Sequence, residues 1–257
     1  MVKSDCFTRE HIDKIRSGFT VDNSILERSI FALALLEALA KVGMPFIFKG
    51  GTSLLLLLEK PRRLSTDIDI IVQPGTDVQS YLELAAKIYP FHSMEQQIRT
   101  GKNKIDKAHY KFTYDSPMMG AQFHILLDVL FEENHYCTLV KRKVNHPFLS
   151  TEEPYVEVTM PSVNCILGDK LTAFAPHTTG IPFGVDKELE IIKQLYDVSV
   201  LADAHDNFDD VYASYIATVK AELAYRGLSN SPDEVLQDTI DASACIASKG
   251  KYHSDDY

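Results

Sequence analysis

The spacing of apolar positions changes character near residue 160. Before it, short β-like runs alternate with helical segments. Asn23 to Val42 carries Ile25, Leu26, Ile30, Leu33, Leu36, Leu39 and Ala40 at helical intervals, with Asp22 or Asn23 able to cap its start. Gly43 and Pro45 end that helix. A short strand at Phe46 to Phe48 leads into a glycine pair. The apolar segment Thr52 to Leu58 follows, expected as a buried helix closed by Pro61. Ile68 to Val72 reads as a strand, Pro74-Gly75 as a turn, and Asp77 to Tyr89 as an amphipathic helix with Val78, Leu82, Ala85 and Ala86 on its apolar face. Phe91 to Phe131 predicts two or three strands, ending in QFHILLDVLF, and Tyr155 to Val158 one more.

From Pro161 onward the period is helical. Pro161 suits a first turn, and helices are expected at Ser162 to Ala175, Val185 to Ala204, Phe208 to Arg226 and Pro232 to Ser248, with a loop over 178–182. The expected organisation is an α/β domain over residues 1–160 and a helical domain over 161–257.

Composition adds little to this and removes some classes. The 257 residues are 45% hydrophobic and 24% charged, as in ordinary globular chains. The apolar run Leu54 to Leu58 is far shorter than the roughly 20 residues that span a bilayer. MVKSDCFTREHIDKIRSG has no apolar core of a signal peptide. Cys6, Cys137, Cys165 and Cys245 lack the spacing of a zinc site or disulfide framework, so reduced thiols in a cytoplasmic protein with no membrane partner are expected. A net charge of −10 argues against a general grip on nucleic acid. Local basic clusters remain at Arg62 and Arg63, at Arg99, Lys102, Lys104, Lys107 and Lys111, and at Lys141, Arg142 and Lys143.

The chemistry concentrates in KGGTSLLLLLEKPRRLSTDIDIIV, residues 49–72. Residues two apart on a strand share a face, so Asp67 and Asp69 point the same way between isoleucines built for burial. Like charges in a partly dry site repel, and a divalent cation resolves the conflict with the hard oxygen ligands Mg²⁺ prefers. The alternative is that Arg62 or Arg63 neutralises one aspartate and the other caps a loop. Gly50-Gly51 offers backbone N–H groups at a helix start, where a phosphate can approach, with the Thr52 or Ser53 hydroxyl as a further donor; the alternative is a plain tight turn. In HILLDVLF, Asp128 shares a strand face with His124, Leu126 and Leu130 and needs a partner. A metal shared with Asp67 and Asp69 is one; His124 or a neighbouring loop is another. Lys170 sits among Val163, Ile166, Leu167, Leu171 and Phe174, either reaching inward or snorkelling to water. Asp186, Glu190, Lys193 and Asp197 recur at helical spacing and fit a charged outer face with a Lys193–Asp197 pair.

Gly50-Gly51, Asp67-Ile68-Asp69-Ile70 and Asp128 together resemble the nucleotidyltransferase superfamily related to DNA polymerase β: a glycine turn, a spacer, Asp-hydrophobic-Asp and a later third aspartate. The spacer from Gly51 to Asp67 is longer than in many members. The fuller stretch KGGTSL…RRLSTDIDIIV is more similar to the AbiEii/AbiGii toxin-type nucleotidyltransferases of bacterial toxin–antitoxin and phage-defence systems. GDKLTAF, with Lys170, and KQLYDVSVL, with Tyr196 and Asp197, look like that branch's late motifs, so the resemblance spans about residues 46 to 201. One departure stands out: Lys193-Gln194 occupies the place of the family's frequent Arg-Asp.

The resemblance implies an α+β fold, a polymerase β-like mixed sheet flanked by helices and followed by a C-terminal helical bundle. It implies transfer of a nucleotide from a nucleoside triphosphate with release of pyrophosphate. Asp67, Asp69 and Asp128 would hold Mg²⁺, with two ions expected. Lys170 and Asp197 would join them as catalytic residues, and Gly50, Gly51, Thr52, Ser53, Arg63 and Ser65 would bind the nucleotide. tRNA is the acceptor it suggests, and a cognate antitoxin the opposing partner. The alternatives are a small-molecule or protein acceptor, or a catalytically silent module that binds nucleotide or a partner.

Overall fold

A computed structural model describes residues 1–18, 21–60, 62–97 and 106–252. Pro61, and Arg99, Lys102 and Lys104 of the basic cluster, lie outside them. The chain forms two compact units. Among the described residues, one runs to Met160 except for His135–Leu139; that short segment and everything from Pro161 form the other.

The first unit is α+β, built on a five-stranded mixed sheet. Its strands are β1 (Ile47–Lys49), β2 (Ile68–Val72), β3 (Phe91–Gln97), β4 (Lys107–Asp115) and β5 (Gln122–Phe131), in the spatial order β1-β2-β5-β4-β3. Only β2 and β5 run parallel; the other neighbours are antiparallel. Strict alternation gives the sheet two unlike faces. Ile68, Ile70, Ala108, Tyr110, Phe112, Tyr114, Ile125, Leu127 and Val129 are buried on one side.

Helix α2 (Asn23–Lys41), capped by the Asp22 carboxylate accepting from Ser24 and Ile25 N–H, contributes a nearly continuous apolar surface to the same core. Phe31 stacks on Tyr114 with ring centroids 3.8 Å apart. Two glutamates buried along α2 are satisfied: Glu27 accepts from Ser116 Oγ and Met118 N–H, and Glu37 from Lys41 Nζ and Val2 N–H.

Two features here escape the sequence pattern. Helix α1 (Arg9–Arg16), after a 3₁₀ turn at Ser4–Phe7, is short and turns only Ile12 and the partly buried Ile15 to the core. Strand β6 (Leu139–Lys143) is largely exposed and reads as a basic cluster, yet it pairs with β7 (Glu157–Pro161) in a separate ribbon. Helix α3 (Gly50–Leu57) starts on the glycine pair itself, and α4 (Val78–Ala85) stops short of the expected Tyr89.

The second unit is helical: α5 (Val163–Ala173), α6 (Glu188–Ala204), α7 (Phe208–Arg226) and α8 (Pro232–Ala247), with α5 packed against the other three. Gly168 permits the α5–α7 contact, since a Cβ there would lie 2.6 Å from Tyr215 N and Val211 O. Ser231 and Glu234 form a capping box at the start of α8. The segment 135–139 is held by Tyr136 Oη donating to Asp169 and Thr138 Oγ1 donating to Asp210. Among the described residues no helix is long and apolar enough to cross a membrane.

Candidate active site

The sheet face opposite the main apolar core is mixed, with Ile71, Leu126 and Leu130 among its residues, and one polar row crosses all five strands. Lys49 on β1 pairs with Asp69 on β2, Asp69 with Asp128 on β5, Asp128 with His109 on β4, and His109 with Gln97 on β3. Paired residues on adjacent strands point to the same side at a strand spacing of about 4.8 Å, so Asp69 and Asp128 stand side by side. Both are half-buried. The two acids are flanked by basic residues: Lys49 on the β1 side and His109 on the β4 side. His109 Nδ1 lies 2.7 Å from Asp128 Oδ1, the partner that the sequence pattern left to His124 or a loop.

The glycine pair makes room for this row. Gly50 has φ +78°, and a Cβ built on it would sit 2.0 Å from Asp69 Oδ2. Any other residue would be strained and would collide with the carboxylate. A Cβ on Gly51 would meet Arg63 Nη2 at 2.7 Å and Ser65 Oγ at 3.1 Å. The turn therefore gathers Asp69, Arg63 and Ser65 around the first turn of α3. Thr52 and Ser53 depart from the expectation of hydroxyls offered to a phosphate. Both are fully buried; Thr52 Oγ1 donates to the Asp67 carbonyl and Ser53 Oγ to the Gly50 carbonyl. Their hydroxyls hold the turn against β2.

Asp67 precedes β2 by one residue and is exposed. Its charge reaches His124, on the Asp128 face of β5. His124 is nonetheless held below the usual imidazole range, first by burial and then by the cations Lys111 and Arg28, with Glu95 and Asp67 opposing. Among the described residues no group of three or more His, Cys, Asp or Glu side chains is gathered closely enough to hold a metal ion. Asp69 and Asp128 share a rung of the sheet, and Asp67 precedes that strand.

Lys170 and Asp197 meet each other in the helical unit. Lys170 Nζ lies 3.0 Å from Asp197 Oδ2 and donates to Gln194 Oε1 at 2.8 Å, with the paired side chains only 9% and 1% exposed. Asp197 is therefore part of a buried ion pair across α5 and α6, and the outer-face pairing with Lys193 does not describe it. Lys170 points inward rather than snorkelling. Gln194, the residue that departs from Arg-Asp, accepts from the lysine as a neutral amide.

Residues 34–248 match the family of AbiEii nucleotidyl transferase toxins of type IV toxin–antitoxin systems. The chain belongs to this family. Family membership makes it a nucleotidyltransferase-type toxin and brings an antitoxin counterpart with it. No curated protein matches the chain. Among solved structures, an antigenic nucleotidyltransferase-like protein from Paracoccidioides brasiliensis is 15% identical over 86% of this chain and 92% of its own, with a TM-score of 0.51, a likeness of fold. JHP933 from Helicobacter pylori is also 15% identical, over 89% of this chain and 96% of its own, with a TM-score of 0.47.

Within the AbiEii-type frame, the motif glycines and aspartates of the first unit are carried by β1, β2 and β5 and the turns beside them. Three residues of the row, Lys49, His109 and Gln97, went unremarked at the level of sequence. KAHYKFTYD does carry a signal for the second: alternation sets His109, Lys111 and Thr113 on the face opposite Ala108, Tyr110, Phe112 and Tyr114.

Proposed function

We propose that this protein transfers a nucleotide from a nucleoside triphosphate to an acceptor hydroxyl in a Mg²⁺-dependent reaction, with tRNA as acceptor. The observation that carries the reading is the register of Asp69 and Asp128, adjacent on parallel strands, with the Gly50 backbone against the Asp69 carboxylate. Two carboxylates side by side on a half-buried face fit a hard cation. Mg²⁺ needs only one or two protein carboxylates when substrate phosphates complete its shell, so a ready-made three-sided cage is not required. Asp67, Asp69 and Asp128 would hold it, with a place for two ions. When bound, Mg²⁺ neutralises triphosphate charge and eases deprotonation of the attacking hydroxyl.

The chain's own residues do the rest in this reading. The Gly50 and Gly51 amides open α3 at its positive end and receive phosphate oxygens, with Arg63 and Ser65 beside them. Thr52 and Ser53 fix that turn from beneath. The acceptor oxygen attacks the α-phosphorus, the bond to the bridging oxygen breaks, and pyrophosphate leaves. Arg63 offsets the charge that develops on it.

The test is incubation of the protein with each labelled nucleoside triphosphate, Mg²⁺ and total tRNA. Label appearing in tRNA with wild type, and none with Asp69→Ala, is the expected result. No transfer by wild type to any acceptor, or undiminished transfer by the variant, rejects the reading. A second reading keeps the chemistry and changes the acceptor to a small molecule or a protein side chain. It is favoured by the charge of residues 161–257, with 16 acidic side chains against seven Lys and Arg, which repels a polyanion. A mass-shift screen across acceptors separates the two.

A further inference from the structure

We infer that His109 is a positioning residue for the third carboxylate, holding Asp128 by Oδ1 from the β4 side so that Oδ2 is presented to the reacting groups. The inference rests on the proposed transferase chemistry of the same site. Asp69 and Asp128 share one rung of the sheet. Two carboxylates at that separation repel, and side chains left to themselves relieve the repulsion by swinging apart. His109 occupies the next position along the rung, and its Nδ1 reaches Asp128 Oδ1 at 2.7 Å. A carboxylate oxygen only accepts, so the ring donates through Nδ1–H and thereby fixes its own orientation.

The contact is not needed to hold the strands together. β4 and β5 are paired without a break from Lys107–Leu130 to Asp115–Gln122, so the backbone ladder already sets their register. Nor is the ring free to wander, since the His109 side chain is only 17% exposed while that of Asp128 is 39% exposed. The half-buried ring thus anchors the more open carboxylate, as expected of a group that orients a ligand rather than one that binds substrate. Partners of this kind typically change metal affinity or activity by about 10- to 100-fold when removed.

The test compares wild type, His109→Ala, His109→Asn and Asp128→Asn. Asparagine places an amide N–H close to the position of Nδ1, whereas alanine leaves Asp128 without that donor. Two readouts are taken on protein shown to be folded by its thermal midpoint: the Kd for Mn²⁺ in the presence of a non-hydrolysable nucleoside triphosphate, and kcat and KM for transfer. The expected result is Mn²⁺ binding weakened at least about tenfold in His109→Ala, a loss in kcat greater than any in KM, and recovery of most of both in His109→Asn. Mn²⁺ binding and kcat unchanged in His109→Ala overturn the inference and leave the transferase reading standing. An asparagine variant as weak as alanine also overturns it. Wild type that neither binds Mn²⁺ nor transfers nucleotide overturns both.

Discussion

The two units place acid–base pairs in opposite surroundings. In the α/β unit, Asp128 and His109 lie on the open face of a sheet, with the carboxylate side chain 39% exposed. In the helical unit, Asp197 and Lys170 are 1% and 9% exposed, enclosed between helices. Sequence-level charge differs in step: residues 1–160 carry 20 acidic and 19 basic side chains, while residues 161–257 carry the strong acidic excess. Water screens the first pair and leaves it available for chemistry. The second pair is locked by the cost of exposing either member alone to a dry interior. Under the proposed function, loss of a residue of the first kind should stop a reaction, and loss of one of the second should undo a fold.

The sharpest way to break this contrast is at Asp69. Asp69→Ala should eliminate measurable transfer, a loss of at least about 10³-fold, because parts that act as one unit fail together. Its denaturation midpoint should move by no more than about 1 kcal/mol equivalent, as for other partly exposed sites. A variant that loses stability and activity in proportion would show that the open face is structural after all.

Asp197→Ala should behave in the opposite way. It leaves the Lys170 ammonium buried with only Gln194 for a partner, and urea denaturation should show a loss of about 3–5 kcal/mol. Replacing both members, Lys170→Met with Asp197→Leu, should recover most of that stability. If transfer stays abolished in this stable double variant, the pair serves chemistry as well as packing.

Burial rather than unit decides these properties, and His146 in the α/β unit tests the point. Burial pushes its imidazole down to about 4, and its Nδ1 accepts from Phe148 N–H. The unfolded chain binds a proton near pH 6.5 that the folded chain refuses, so the contribution is complete above pH 6.5. It is lost as pH falls from there to about 4, on the order of 3 kcal/mol in all. Urea titrations across that window should show the slope, and His146→Leu should flatten it.

The smallest expected effect is steric. Gly50→Ala should cost about 1–3 kcal/mol in thermal or urea denaturation, from backbone strain at φ +78° and from the Asp69 carboxylate its Cβ displaces. Transfer should fall with it. Gly51→Ala has no such backbone strain, and its neighbours are the ends of the Arg63 and Ser65 side chains, so it should be milder.

Much of this was legible before any coordinates. Period-two alternation located β2 and β5, and with them Asp69 and Asp128; that the two share one face comes from the strand pairing. The helical periods located α2 and α5 to α8. What stayed hidden was register and docking. Alternation says which face a residue occupies but not which residue stands opposite, so the His109–Asp128 contact was out of reach while the aspartates were not. In the same way, helical spacing offered Lys193 as the neighbour of Asp197, and only the packing of α5 on α6 brings Lys170 to it instead. The side to which the Thr52 and Ser53 hydroxyls turn was also hidden, because a hydroxyl beside glycines looks the same whether it faces solvent or the strand behind. Helix α1 offers only Ile12 and Ile15 as a signal, and strand β6 buries too little to leave a pattern.

The fit of the Asp69 carboxylate against the bare Gly50 backbone ties two positions far apart in the chain into a single evolutionary unit. A lineage that retired the chemistry by replacing Asp69 with something smaller would lift the steric half of the ban at residue 50, while the positive φ would still favour glycine or asparagine there. Homologues that keep the aspartate should therefore keep glycine strictly, and those that lost it should vary more at residue 50. A chain with a bulky residue at the first position and an intact aspartate at the second should be rare.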